Sequence, residues 1–257
     1  MLHELCEKKV PMSSRTHDSI ALRGAGVVSI IQQKKGHRFT LDSLLLADFC
    51  RIKPRDKILE PGAGTGVISI LLAKKFPGTA ITAVETQPGA VKLARRNIAD
   101  NGLDGRIALV GQDIKGLKKV LAQESFDVIV TNPPYTKAGS GRRCPQTARQ
   151  TARHDASADI GAWLDLQCFL KTKGRYNLVF PAARTAEIVS LMRARHLEPK
   201  RARFVHPYQG RPASLVLIEA IKAAGTGLEI LPPLIVHVHG GAYSEEMKDM
   251  YSTPAEA

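Results

Sequence analysis

From Asp56 onward, the hydrophobic positions fall into two alternating kinds of run. Short apolar stretches at Lys57–Glu60, Ala80–Glu85, Arg106–Val110 and Phe126–Thr131 read as strands. Between them, apolar residues recur at helical spacing over Thr65–Lys75, Pro88–Asn101 and Ile114–Leu121. Phe126–Thr131 has the apolar pattern of a strand buried on both faces. The second half predicts a helix over Ala158–Lys171, a strand at Tyr176–Phe180 and a helix over Thr185–Arg195. Two strands, Arg201–His206 and Leu215–Ile221, then close the pattern with no helix between them. Strands alternating with helices predict an α/β fold, doubly wound around a mostly parallel sheet, and the closing pair predicts an antiparallel edge strand.

The flanks are less regular. Met1–Asp18 reads as a loose arm and Gly26–Gln33 as a short strand. Thr40 can cap a helix carrying Leu41, Leu44, Leu45 and Phe49. Leu234–Val238 offers one more strand. With no repeat and no clear boundary, 1–257 is expected to be one domain: an N-terminal extension over 1–50, a core over 51–222 and a C-terminal extension over 223–257. A polar stretch from Asn132 to Asp155 has no periodicity and is long for a compact domain, which predicts a functional loop.

Composition narrows the class. Hydrophobic residues at 44% and charged residues at 24% exclude a disordered or collagen-like chain. No apolar run of roughly 18 residues appears, so no membrane partner is expected. The N-terminus lacks the apolar core of a secretory signal. The four cysteines form no C-x-x-C pair, which points away from metal and toward a reducing, cytoplasmic location. His237 and His239 alternate on one possible strand without a third ligand, and Trp163 reads as a packing residue rather than a base platform.

Charge changes the picture more. Lys and Arg number 37 against 24 Asp and Glu, leaving +13. A surface that basic favours a polyanion, and nucleic acid is the expected partner. Lys137, Arg142, Arg143, Arg149 and Arg153 cluster in the polar stretch with no acid among them, and are candidate RNA contacts. Arg193, Arg195, Lys200, Arg201, Arg203 and Arg211 form a second set, interrupted only by Glu198.

The candidate chemistry sits at strand ends. Glu60-Pro61-Gly62-Ala63-Gly64-Thr65-Gly66 falls where the first core strand meets its helix, and Gly62, Gly64 and Gly66 let backbone turn and a ligand approach. A dinucleotide site needs glycine where Val67 stands. An acid beside the helix start suits a cofactor with a cationic amino-acid part better than a pyrophosphate. Glu85 ends the second strand about 20 residues on, where an acid accepts ribose hydroxyls. Asp113 follows the third strand and can accept from an adenine amino group; the alternatives are a solvated charge at Glu85 and a helix cap at Asp113. At the carboxyl edge of a parallel sheet all three acids converge on one crevice.

The fourth strand ends in Asn132-Pro133-Pro134-Tyr135. Two prolines fix this corner. The Asn132 side-chain carbonyl and Pro133 backbone carbonyl can accept both hydrogens of an exocyclic amine, and Tyr135 offers a face for stacking.

The three acids with the glycines resemble the S-adenosylmethionine site of class I methyltransferases, and Asn132–Tyr135 resembles the motif of those acting on exocyclic amines, mainly adenine N6. Gly36–Leu46 resembles the segment closing over the cofactor's methionine end. With Ala152-Arg153-His154-Asp155 and the tail through Tyr243, the chain is similar, from about Gly26 to Tyr251, to the bacterial adenine-N6 methyltransferases acting beside the anticodon of valine tRNA. The resemblance implies a seven-stranded Rossmann-like methyltransferase sheet, S-adenosyl-L-methionine as cofactor and tRNA as partner. It also implies a contact from Thr40 to the cofactor carboxylate, and catalytic roles for Asn132 (also bordering the cofactor), Pro133 and Tyr135. The Lys137–Gln150 loop is richer in arginine than that family suggests. A glutamine-N5 protein methyltransferase, a guanine-N2 rRNA methyltransferase and an inactive RNA-binding module remain the alternatives.

Overall fold

The computed structural model describes residues 15–33, 41–134 and 160–251. Its centre is a nine-stranded sheet whose parallel block is β3 (Lys57–Pro61), β4 (Ala80–Glu85), β5 (Ile107–Gly111), β6 (Phe126–Thr131) and β7 (Leu170–Pro181). Neighbouring residues on these strands point to opposite faces. Ile58, Val128 and Val130 pack on one face, Leu59 and Ile129 on the other, and all five are fully buried. This accounts for the unbroken apolar runs.

Helices cover both faces. On the first lie α1 (Leu41–Phe49), α2 (Val67–Lys75) and α3 (Pro88–Asp100); on the second lie α4 (Ile160–Leu164) and α5 (Thr185–Arg193). The strand order runs from β7 through β9 (Leu215–Lys222) to β8 (Leu197–Tyr208) on one side, and from β6 through β3 and β4 to the opposite edge, β5, on the other. All the β3–β7 pairs are parallel. β9 runs antiparallel to both β7 and β8. The mostly parallel sheet with antiparallel pairing toward one edge is the expected architecture, with β9 one strand in from β8. Two short strands add to the expected seven: β10 (Glu229–Ile230) and β11 (Leu234–His237) lie end to end along β8, parallel to it. A final helix, α6 (Glu245–Tyr251), follows.

Several elements differ from the sequence pattern. Arg15–Asp18 is not part of a loose arm but begins β1 (Arg15–Leu22), which pairs antiparallel with β2 (Gly26–Gln33). Its residues Thr16–Ser19 are polar, so no apolar signal marks them. The helix expected over Ala158–Lys171 is α-helical only to Leu164, tightens to a 3-10 turn over Asp165–Phe169 and gives way to β7, because Leu170 already pairs with Phe126. Ile114–Lys119 is a 3-10 rather than an α-helix. The helix expected from Thr65 starts at Val67, since Gly66 holds a left-handed φ of 84°.

Candidate active site

Parallel strands deliver their carboxyl ends to one rim, and the site is built there. At the end of β3 the chain turns through Gly62, Gly64 and Gly66, with φ of 72°, 56° and 84°. Side chains rarely adopt such values. The turn closes with Gly66 N–H donating to Ala63 O at 2.8 Å, and Ala63 N–H donates to Val84 O at 2.9 Å. A side chain at Gly64 would meet nothing within 4 Å, so that backbone faces open space. A Cβ at Gly62 would instead lie 2.6 Å from Cη2 of Trp163, whose indole edge walls the turn. Trp163 is buried, its carbonyl accepts from the Tyr176 hydroxyl at 2.7 Å, and its Nε1 has no partner among the described residues. Nothing in the spacing of Gly62 and Trp163 announces this contact.

Glu85 ends β4 beside that turn. Its two oxygens accept from Gly64 N–H at 2.9 Å and Gln87 N–H at 2.8 Å, tying the β3 and β4 loops together. Glu60 lies deeper. It is 1% exposed and accepts from the Ser69 hydroxyl. Burial pushes its pKa up to about 8, against the lowering pull of Ser69 and with a further push from the Glu85 charge. Glu60 therefore holds its proton through most of the neutral range. Asp113 is exposed and caps the 3-10 turn, accepting from Lys115 N–H at 2.8 Å. The cap alternative holds in this arrangement, while the carboxylate still stands at the third strand end.

The fourth strand end is fixed from below. The buried Thr131 hydroxyl donates to Pro61 O at 3.0 Å, binding the corner before Asn132 to the residue before Gly62. Asn132 and Pro134 are half-buried and Pro133 is buried. β6 and β3 are adjacent, so Asn132 and the glycine turn share the rim. Asn97 of α3 adds a third tie: its amide donates to Thr65 O at 2.9 Å and to Ile31 O at 3.0 Å, and its carbonyl accepts from Ile31 N–H at 2.8 Å. A buried asparagine thus bonds β2 to the glycine loop. Its only sequence signal is a polar residue on the apolar face of α3.

Other expected site residues fall elsewhere. Thr40, Tyr135, Lys137, Arg142, Arg143, Arg149 and Arg153 lie outside the described residues. The second basic set is largely committed to internal partners. Arg193 pairs with Glu198 at 3.1 Å, Arg195 with Asp165 at 2.7 Å and Arg203 with Glu246 at 2.6 Å. Arg201 is buried between Glu219 and the Phe49 ring, and Lys200 donates to Thr226 O. Only the exposed Arg211 keeps the character expected of a phosphate contact. No group of three or more His, Cys, Asp or Glu able to hold a metal occurs among the described residues. Two hollows of about 230 and 510 Å³ open at the opposite, amino-terminal rim, lined by residues such as Lys57 and Arg106 in one and Cys168 and His196 in the other. They are remote from this chemistry.

Solved structures share the fold. A predicted O-methyltransferase from Agrobacterium tumefaciens matches with a TM-score of 0.67 at 21% identity, covering 82% of this chain and 95% of that one. A ribosomal protein L11 methylase from Lactobacillus delbrueckii matches with a TM-score of 0.51 at 17% identity, over 74% and 81%. The architecture is that of the Rossmann-like, S-adenosylmethionine-dependent methyltransferases.

The chain belongs to the methyltransferase small domain family, whose model matches residues 23–154. Relatives named tRNA1(Val) (adenine(37)-N6)-methyltransferase span most of it. The one from Vibrio campbellii is 28% identical over 86% of this chain and 90% of its own. The one from Parabacteroides distasonis is 30% identical over 82% and 89%, and that from Tolumonas auensis 31% over 74% and 78%. The residues present fit S-adenosylmethionine: an open left-handed glycine at Gly64, and acids at three successive strand ends.

Proposed function

We propose that the protein transfers a methyl group from S-adenosylmethionine to the exocyclic N6 of an adenosine in tRNA, near the anticodon. The observation that carries this reading is the Thr131–Pro61 bond, which holds the Asn-Pro-Pro corner beside the glycine turn on one rim. The names of the relatives support the choice of tRNA.

In this reading the glycines at 62, 64 and 66 admit the cofactor, and Glu85 exchanges its hold on the Gly64 and Gln87 amides for ribose hydroxyls. Asp113 accepts from the cofactor's adenine amine. Glu60 would hold its ammonium, a charge that would pull the buried carboxyl back toward ionisation. Thr40 meets its carboxylate. When bound, the cofactor supplies a methyl group already activated by a sulfonium.

The chain's own part is to position the amine. N6 is a poor nucleophile because its lone pair is delocalised into the ring. Asn132 Oδ1 and Pro133 O accept its two hydrogens and localise that pair as the transition state forms, which is differential binding. Tyr135 stacks on the target base, which must leave its stack to reach the corner. Lys137, Arg142, Arg143, Arg149 and Arg153 hold the surrounding phosphates. We take 1–257 as one unit, since β2 is bonded to α3 and β10 and β11 extend the central sheet, and we place it in the cytoplasm with its tRNA substrate. No helix among the described residues is long and apolar enough to cross a membrane.

The test is incubation of total tRNA with methyl-labelled cofactor followed by nucleoside analysis. N6-methyladenosine is the expected product. Label in protein glutamine, or in guanosine, overturns the assignment.

A further inference from the structure

Four rings form a continuous series that the reaction as described does not use. Tyr208 meets His237 with centroids 5.4 Å apart and planes at 34°. His237 stacks on Tyr243 at 5.1 Å and 11°, and Tyr243 on Tyr251 at 5.3 Å and 28°. The rings come from the end of β8, the end of β11, the turn after it and the end of α6. Tyr208 and His237 are direct cross-strand partners, and His237 bridges to Tyr243.

Core packing does not account for the series. Phe169, Tyr176 and Phe180 are fully buried, whereas Tyr208 and Tyr243 each remain 41% exposed. Tyr208 is the outer ring, with a ring neighbour on one side only among the described residues. At the inner end Tyr251 is half-buried and stacked on Tyr243, which anchors the series in the protein.

Its position is informative. β9 is antiparallel to both β7 and β8, so β8 and β11 run in the same direction as β6. Tyr208 and His237 therefore emerge at the rim that carries Asn132. The glycine turn, Glu60, Glu85 and Asp113 occupy the β3–β4–β5 half of that rim, and the rings stand on the other half. β8 is three strand spacings, roughly 14 Å, to the side of β6. It also runs on past Val205, its last pair with β9, so Tyr208, paired only with His237 of β11, projects beyond the end of β9. That is within reach of a stem-loop held at Asn132 and beyond the reach of a single nucleotide.

The charges nearby suit a phosphate backbone. Arg211 is exposed in the turn after Tyr208, where its N–H donates to Tyr208 O at 3.1 Å and its carbonyl accepts from His206 Nδ1–H at 2.7 Å. Two of the three acids of α6 are paired with cations, Glu245 with Lys248 and Glu246 with Arg203, each at 2.6 Å. RNA recognition favours unpaired loop bases stacked on aromatic side chains. Resting on the tRNA reading above, we propose that Tyr208, backed by His237, Tyr243 and Tyr251, is a stacking platform for an unpaired base of the substrate RNA, with Arg211 on an adjoining phosphate.

The experiment uses the full chain and an anticodon stem-loop carrying 2-aminopurine at loop positions flanking the target adenosine. Tyr208→Ala should weaken binding about five- to hundredfold, the range for loss of one stacked base, and abolish fluorescence quenching at one position. Its salt slope and cofactor affinity should match the parent. Tyr208→Trp should restore both binding and quenching, and Arg211→Gln should lower the salt slope by about one. Parent-like affinity and quenching in Tyr208→Ala overturn the platform while leaving tRNA methylation by the parent protein intact. A Tyr208→Ala variant altered in oligomeric state but not in RNA affinity also overturns it, assigning the rings to contact between copies. A parent protein that neither binds nor methylates tRNA overturns the functional reading and the platform together.

Discussion

The Thr131 hydroxyl donates to the Pro61 carbonyl at 3.0 Å, and both residues sit one step before a functional segment: Asn132 on one strand, Gly62 on its neighbour. The bond is buried, and loss of a buried hydrogen bond costs about 1–3 kcal/mol. Thr131→Val keeps the shape and removes the donor. It should destabilise the fold by about that amount in urea titration. It should also lower the single-turnover methylation rate at least tenfold, since small misplacements at a reacting centre are expensive. Cofactor affinity should change little.

Glu85 joins the β3 and β4 loops through two amides, and the proposed cofactor ribose competes for the same oxygens. Glu85→Ala should weaken S-adenosylmethionine binding by about ten- to hundredfold in calorimetry, the loss of charge-assisted hydrogen bonds. RNA affinity should stay unchanged. Parent-like cofactor binding contradicts the assignment.

Glu60 makes stability depend on pH. Its carboxyl is raised from an ordinary 4.5 to about 8 in the folded protein. Below 4.5 both states are protonated. Between 4.5 and 8 only the unfolded chain ionises, so the fold loses stability steadily as pH rises through that window. Glu60→Gln removes this loss. It should be more stable than the parent at pH 8 by on the order of a few kcal/mol, with the difference vanishing near pH 4. It should bind S-adenosylmethionine more weakly, separating the carboxyl's cost to folding from its use.

Gly62→Ala places a methyl 2.6 Å from the Trp163 ring at a φ of 72°. It should destabilise the fold by about 1–3 kcal/mol. Adding Trp163→Leu should recover the part due to the clash and none of the part due to φ. A double-mutant cycle by thermal or urea denaturation measures that coupling.

Neutralising Arg142, Arg143 and Arg149 together should weaken RNA binding, flatten its salt slope by about three and leave cofactor affinity intact. An unaltered slope removes these residues from the interface.

The inner sheet was legible because burial on both faces leaves continuous apolar runs such as Phe126–Thr131, and because glycines and acids mark where strands stop. Ala80–Glu85 and Phe126–Thr131 form over their predicted bounds. β1 was not legible, since its polar residues earn their place by pairing with β2 rather than by burial. Contacts between distant residues left no periodic trace: Trp163 on Gly62, Asn97 on Ile31 and Thr65, and the rings from 208 to 251. Composition gave the second arginine set its basic character but not its partners, because Glu198, Asp165 and Glu246 become neighbours only on folding.

The most direct test of the account is single-turnover methylation of tRNA by Asn132→Ala, run beside calorimetry with S-adenosylmethionine. Retained cofactor binding with methylation reduced by about a hundredfold or more is the predicted result, the scale expected when an electrostatic contact to the reacting group is removed. Parent-level methylation by this variant contradicts the claim that Asn132 holds the target amine.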